Sequence, residues 1–497
     1  MNVPMKSHAE DIASFSCLYP FSIIIAALLA ALGAALMSSS SFAKTATTLY
    51  EKQCSGCHDQ GSSRFQADTY RKPMDELRKA IKQGNEDQGM PAFANLAEAD
   101  IAALAVLVRE KAYANSHTAS SSVELATQKN HTALGHSFKV EDIAQLDGTL
   151  WSLDFINNHS NRAAQSLLVS SKEGVLYQLE LPTSGKLADQ AIKEVSGLPR
   201  VHVDNQGGLM EVAVLASEKP DSWVYLSYSE PLNKKDDKAL TVVARGKIKK
   251  GKWRKHEVIS RFDESFYTSA GYHYGSRIVF TDQHLYFSIG DRGKQDQAQD
   301  LSRPNGKIHR INFDGSIPKT NPFVTTKNAL PSIYTYGNRN AQGLAVDSTG
   351  RVWEAEHGPR GGDEINLLLP SVNYGWPIIT YGINYNGTPI TERTHKEGMA
   401  QPKHFWVPSI AVSDITFYQG EQFYKWQNKL LVTSLKKEEL RLLTIAGDSV
   451  VEDELIVEGL GRLRDVKVHA DGSIWLALNR DGKGFITRIS VDEAIKT

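Results

Sequence analysis

Short apolar runs flanked by turn residues recur along most of the chain. They are Leu167-Leu168-Val169-Ser170, Val224-Tyr225-Leu226-Ser227, Leu285-Tyr286-Phe287-Ser288, Val352-Trp353-Glu354-Ala355, Leu430-Leu431-Val432-Thr433 and Ile474-Trp475-Leu476-Ala477. Thr349-Gly350 and Asp471-Gly472 closely precede two of them, as hairpin turns do. The runs lie mostly about 45 to 80 residues apart, which suits one strand from each blade of a propeller; strands of a two-sheet sandwich come closer together. The pattern predicts six blades. A helical period replaces it near Glu98, where Ile101, Leu104, Ala105 and Val108 share one face while Glu98, Asp100 and Arg109 are expected in water. The stretch Thr47 to Cys54 also reads as helix and is expected to pack against that face.

A third pattern stands at the N-terminus. Leu18 to Ala43 carries no charge, and Phe21 to Met37 is strongly apolar. Lys6 precedes the run, and Ser41-Phe42-Ala43 places small residues where a signal peptidase cuts. Residues 1–43 are therefore expected to be a secretory signal, with export to the periplasm. The alternative is an uncleaved anchor, since the apolar run is near the lower spanning limit of roughly 17 residues. Membrane contact is expected only in that case.

Composition narrows the function. Hydrophobic residues make up 41% and charged residues 23%, so the chain is globular rather than disordered. Lys plus Arg is 56 against Asp plus Glu at 57, and this balance lacks the basic excess that nucleic acid binding needs. With three cysteines, a disulfide-stapled scaffold is excluded. Cys17 precedes the apolar core, badly placed for lipid attachment.

The other two cysteines carry chemistry. Cys54-Ser55-Gly56-Cys57-His58 is the C-x-x-C-H pattern, in which two thiols meet two haem vinyl groups and the imidazole ligates the iron. A dithiol redox centre or half a zinc site is the alternative, but no second cysteine pair exists to complete a zinc site of the usual kind. Met90, in Gly89-Met90-Pro91, is the expected distal ligand, with Met74 as a weaker rival. Residues 44–113 resemble a small, all-α class I cytochrome c domain holding haem c. Residues 114–140 lack an apolar period and read as a linker, and 141–497 as the propeller.

Propeller loops then supply a polar constellation. Tyr272-His273-Tyr274-Gly275-Ser276-Arg277 precedes one strand and Gly290-Asp291-Arg292-Gly293 follows it. His273 could accept an alcohol proton while Asp291 holds its ring. Cations in Tyr336 to Gly343, Ser434-Leu435-Lys436 and Arg462-Leu463-Arg464-Asp465 return near blade strands and suit a polyanionic ligand.

These phrases, with Asn205-Gln206-Gly207-Gly208-Leu209, Gly358-Pro359, Asp363-Glu364-Ile365-Asn366-Leu367 and Asn373-Tyr374-Gly375-Trp376-Pro377, resemble the soluble glucose/sorbosone dehydrogenase family from about Leu146 onward. The resemblance is to its aldose sugar dehydrogenases, which use pyrroloquinoline quinone (PQQ). It implies an all-β six-bladed propeller with His273 as general base and Asp291 as its orienting carboxylate. Gln206 would lie beside cofactor and sugar, Arg339 and Asn340 at the quinone carbonyls, and Lys436, Arg462 and Arg464 at the cofactor's acidic groups. Gly358 and Pro359 would bind Ca²⁺ through backbone carbonyls, and Glu364 and Tyr374 a further structural Ca²⁺. Two departures are visible: Asn338 stands where many members have His, and Asp296 lies near the position where the family's glucose enzyme has a sugar-facing Gln, which leaves the sugar open.

The expected function is oxidation of an aldose at C1 to its lactone, with electrons passing through the haem to a respiratory acceptor. Eight-bladed quinoprotein alcohol dehydrogenases place haem C-terminally and use vicinal cysteines, absent here, and haem-d₁ nitrite reductases have eight blades and need no cations for PQQ carboxylates. A non-catalytic binding propeller is disfavoured by the joint presence of His273, Asp291 and Arg339.

Overall fold

The computed structural model describes residues 48–55, 69, 72, 74–84, 90–117, 130–156, 166–181, 191–215, 222–233 and 237–492. The apolar segment 18–43, Cys17, Cys57 and His58 lie outside these residues. Among the described residues no helix is long and apolar enough to cross a membrane.

The N-terminal part is helical. Helices α1 (Met74–Gln83) and α2 (Glu98–His117) pack together, with Leu77 and Ile81 meeting Ile101, Leu104 and Ala105 over Tyr50. Glu98 and Asp100 sit in the first turn of α2, where a negative charge meets the positive end of the helix dipole. Cys54 and Met90 are half-buried against this same core. Gly84 shapes the approach to Met90: at φ 72° it leaves no space for a side chain, since a Cβ would lie 2.7 Å from the Met90 carbonyl. One expectation is corrected here. Arg109 is fully buried instead of facing water, because its guanidinium donates to the Lys72 and Tyr381 carbonyls.

The remaining strands form six sheets among the described residues, five of four strands and one of five. The six runs read from the sequence are each the second strand of a sheet: Ser166–Ser171, Val224–Pro231, Leu285–Ile289, Val352–Glu356, Leu430–Ser434 and Ile474–Arg480. These strands are apolar on both faces because each sheet is sandwiched between two neighbours. Leu167 and Val169 pack with Trp475 and Ile486 of the last blade, whereas Leu168 packs with Val212 and Leu226 of the second. The ring closes where His136–Leu146 pairs antiparallel with Lys483–Val491, from Phe138↔Val491 to Leu146↔Gly484 with one register shift between Asp142 and Ala144. The sheets thus begin at Asn130–Ala133, ahead of the expected boundary at 141, and α2 runs past 113 to His117. Half-polar alternation hides the closing strand, whose partner lies at the far end of the chain.

The inner strands bring charge to the axis. Arg277 is fully buried, with Nη1 donating to Glu211 Oε2 at 2.6 Å and Asp465 Oδ1 at 2.8 Å. Its Nε donates to the Gln342 carbonyl at 2.8 Å and pairs with Asp414 Oδ1 at 3.3 Å. Those partners belong to the second, sixth, fourth and fifth blades, and Asp465 Oδ2 also accepts from Leu153 N of the first at 2.6 Å. Burial pushes the Asp465 carboxyl up, but Lys467 and Arg277 outweigh it and hold the group ionised. Arg277→Met should therefore destabilise the propeller by about 3–5 kcal/mol, because it leaves buried carboxylates uncompensated. The deficit should shrink as pH falls and those carboxylates protonate. Guanidinium unfolding followed by tryptophan fluorescence checks both; a change below about 1 kcal/mol would remove Arg277 from its structural role.

Candidate active site

A cavity of about 440 Å³ opens at one end of the axial charge cluster. Gln206, Tyr274, Asn340, Gln342, His357, Arg462 and Arg464 line it, with Trp151 and Lys172 from the first blade and Tyr385 at its mouth. The loops carrying His273 and Asp291 touch at paired glycines. A Cβ on Gly275 would lie 2.7 Å from Gly290 N, and one on Gly290 would lie 2.4 Å from the His273 carbonyl. No larger residue lets these backbones meet.

That approach sets His273 Nδ1 2.6 Å from Asp291 Oδ1. Asp291 is fixed in turn by Trp376 Nε1, which donates to Oδ2 at 2.8 Å, and by Gly293 N, which donates to Oδ1 at 2.7 Å. Gln206 Oε1 accepts from His273 N at 2.8 Å, tying the second blade to the same loop. Burial pushes Asp291 up, but its bond and attraction to His273, with Arg339 nearby, bring it below the usual carboxylate range. Burial lowers His273 below the usual imidazole range despite the Asp291 bond, and Arg339 adds to the lowering. His273 is thus neutral near pH 7, with Nδ1–H directed at an ionised carboxylate and Nε2 basic. The ring is 15% exposed, beside the cavity-lining Tyr274 and Gly275.

Arg339 and Asn340 enter from the turn before the fourth blade. Arg339 N donates to Glu356 Oε2 at 2.7 Å, and its carbonyl accepts from Asp291 N at 2.8 Å. Its Nη1 donates to the carbonyls of His357 and Gly358, both at 3.0 Å. Asn340 Oδ1 accepts from Gly275 N at 3.0 Å. Asn338 points away from the cavity: its Nδ2 donates to both Glu354 oxygens, at 2.9 and 3.1 Å. Burial raises Glu354 to about 8 and lifts Glu356 and Glu364 well above the carboxylate range. The Tyr374 hydroxyl is engaged, donating to the Leu367 carbonyl at 2.6 Å and accepting from Leu369 N at 3.0 Å. Any cation contact from Tyr374 would therefore use its backbone carbonyl. Among the described residues no three His, Cys, Asp or Glu side chains converge as metal ligands.

The opposite wall is cationic. Arg464 Nη1 donates to Gln342 Oε1 at 3.1 Å, and Arg462 Nη1 to the Leu435 carbonyl at 3.2 Å. Burial lowers Arg464 to about 9, with Arg277 and Arg462 adding repulsion. Burial and the neighbouring Arg464 and Arg339 push His357 down to about 3. Arg339 Nε, Arg464 Nε and His357 Nε2 are buried without hydrogen-bond partners. Orphaned donors and crowded guanidinium groups fit a ligand bearing carboxylates and carbonyl oxygens. PQQ, with three carboxylates and two quinone carbonyls, has that donor demand. His273, Asp291, Arg339 and Lys436 are not among the lining residues; Lys436 is exposed while its neighbour Leu435 lines the cavity.

Sequence reasoning gave no role to Trp376, Lys172, Trp151, Gln342 or His357. Lys172 carried a usable signal, since it follows the second strand of its blade as Lys436 does in the fifth. Its Nζ donates to the Asn205 carbonyl at 2.7 Å. Trp151 carried none. Its ring lies under two guanidinium groups, 4.6 Å from that of Arg277 and 5.6 Å from that of Arg464.

Residues 148–488 match the family model described as Glucose / Sorbosone dehydrogenase, and residues 42–108 that of Cytochrome C oxidase, cbb3-type, subunit III. Aldose sugar dehydrogenase YliI of Escherichia coli is 35% identical over 346 residues, covering 68% of this chain and 89% of the relative. Quinoprotein glucose dehydrogenase B of Acinetobacter calcoaceticus is 26% identical, covering 58% of this chain and 76% of its own length. The crystal structure of the soluble aldose sugar dehydrogenase from Escherichia coli in its apo form superposes with a TM-score of 0.64. It is 32% identical and covers 71% of this chain and 100% of that structure. The matched span takes in strands of all six sheets and every propeller residue of the site, and the chain belongs to the glucose/sorbosone dehydrogenase family.

Proposed function

We propose that this chain oxidises the C1 hydroxyl of an aldose to a lactone in the periplasm, using PQQ, Ca²⁺ and a covalently attached haem c. The observation that carries the reading is the buried Trp376–Asp291–His273 relay beside a cavity walled by Arg462 and Arg464. When bound, PQQ would supply a two-electron acceptor for the hydride leaving C1. His273 Nε2 takes the hydroxyl proton, and ionised Asp291 stabilises the imidazolium so formed. Arg339 and Asn340 present a guanidinium and an amide to carbonyl oxygen where negative charge develops. Arg462 and Arg464, with Lys436 at the rim, neutralise carboxylates. Gln206 orients the sugar and the His273 backbone together.

Gly358 and Pro359 carbonyls are the proposed Ca²⁺ donors, oxygen ligands suited to a hard cation. The Gly358 carbonyl already accepts from Arg339 Nη1, so it faces a positive charge in this arrangement. The Glu364 carboxyl and Tyr374 carbonyl are proposed for a second Ca²⁺. In the N-terminal domain Cys54 and Cys57 would bond the haem, with His58 and Met90 as axial ligands. That domain is given the role of passing electrons to a respiratory acceptor.

The direct test is an aldose screen on purified protein with an artificial dye. Oxidation that depends on added PQQ and Ca²⁺ is expected; no oxidation of any aldose in cofactor-loaded protein would leave a binding propeller. His273→Ala should bind PQQ normally and lose a factor on the order of 10²–10⁴ in rate. Because burial lowers the His273 pKa, the acid limb of kcat/KM should fall below pH 6.5, the ordinary histidine value. Near-normal turnover in the loaded variant would remove His273 from the mechanism. Arg464→Ala and Lys436→Ala should weaken PQQ affinity before they slow chemistry, with partial rescue at high PQQ. Unchanged affinity in both, followed by PQQ absorbance, would place those cations outside the cofactor site.

A further inference from the structure

The fourth blade carries a long connection, residues 368–403, between strands Asp363–Leu367 and His404–Trp406. Its path is well anchored. The Tyr381 ring stacks on Phe405 at 3.8 Å, and its hydroxyl bonds Gln401 at 2.8 Å. Ile383 exchanges backbone bonds with Arg360, at 2.9 and 3.2 Å. Between them Gly382 lies flush against the Pro359 ring, where a Cβ would come within 2.8 Å. Tyr385 extends the same segment to the cavity mouth.

The haem domain meets this connection at two cations. Buried Arg109 of α2 joins the parts, one carbonyl partner from each: Lys72 in its own domain and Tyr381 in the propeller, the latter at 3.0 Å from Nη1. Arg78 of α1 pairs with Glu392. The apolar core beneath is continuous, since Leu77, Ile81 and Ile101 belong to one cluster with Ile383 and Trp406. Cys54 and Met90 pack against that cluster too. A guanidinium is costly to bury without acceptors, so a fully buried Arg109 whose acceptors come from both parts marks a built interface.

We propose that the 368–403 connection is the docking surface for the chain's own haem domain, with Arg109 on Tyr381 and Arg78 on Glu392 as anchors. Docked there, the domain stands one backbone segment from Gly358-Pro359 and beside the cavity mouth. The consequence for electron transfer rests on the haem-relay reading above; the docking itself does not.

The test uses the full haem-bearing chain loaded with PQQ and Ca²⁺. Glu392→Lys, Arg78→Glu and the double swap are compared, with Arg109→Met as a stronger lesion. Small-angle scattering at low salt should show a compact particle for the parent and a larger radius of gyration for each single variant. The double swap should restore compactness. Stopped-flow reduction of the haem by an aldose should slow several-fold in the single variants and recover in the swap, while dye-linked sugar oxidation stays unchanged. High salt should loosen the parent in the same direction, as it screens an exposed ion pair. If Arg109→Met loses its haem spectrum, the charge-swap series alone decides. Unchanged scattering and haem reduction in Glu392→Lys and Arg78→Glu would overturn the dock. A parent whose haem no aldose reduces would sink the relay reading instead, leaving scattering to judge the dock.

Discussion

Everything in the propeller converges on the Arg277 guanidinium. Six sheets that pack only by their faces would be free to slide about a common axis, since apolar contact is non-directional. Arg277 removes that freedom with directional bonds to Glu211, Gln342 and Asp465 and an ion pair to Asp414. Asp465 carries the link to the first blade through Leu153 N. Buried ionic groups of this kind contribute little net stability over an apolar core and are costly to break. Their effect here is positional: blades are held at one height and one rotation.

The site inherits that registration. Gln342, whose carbonyl accepts from Arg277, turns its side chain to Arg464; the Arg464 carbonyl accepts from Arg277 Nη2 at 3.3 Å. The same residues therefore end the axial cluster and line the cavity. Carboxyl groups cluster along the axis around Arg277 and Lys467, and the guanidinium groups of Arg462 and Arg464 stand at its open end. An anionic ligand at that end would relieve repulsion among Arg277, Arg462 and Arg464 without disturbing the carboxylates below. The base is held independently by Trp376 and the glycine contact at Gly275 and Gly290, so binding and proton transfer rest on separate supports.

Much of this was legible in local sequence. Each blade's second strand is apolar on both faces, and a run such as Leu430-Leu431-Val432 announces it without any knowledge of partners. His273 and Asp291 flank one such strand, which is why two residues 18 apart could be paired on paper. What stayed hidden depends on distant pairings. The closing strand His136–Leu146 mixes Lys139, Glu141 and Asp142 among its apolar residues, and its partner begins at Lys483. Arg109 has the look of a solvated helix charge; the carbonyls of Lys72 and of Tyr381, the latter 272 positions on, make it a buried one. Trp376 sits inside a motif that was read, yet its bond to Asp291 spans 85 residues. Asn338 could be flagged as a departure, but its role as donor to Glu354 needed the fold.

On this reading the axial cluster would present a preformed cationic cavity to PQQ beside His273. A crystal structure of the protein soaked with PQQ and Ca²⁺ tests it most directly. One PQQ per chain is expected in the cavity, its carboxylates on Arg462 and Arg464 and its quinone face toward His273, with Arg277 and its carboxylate partners unmoved. An empty cavity at saturating PQQ, or PQQ bound elsewhere on the propeller, would contradict it.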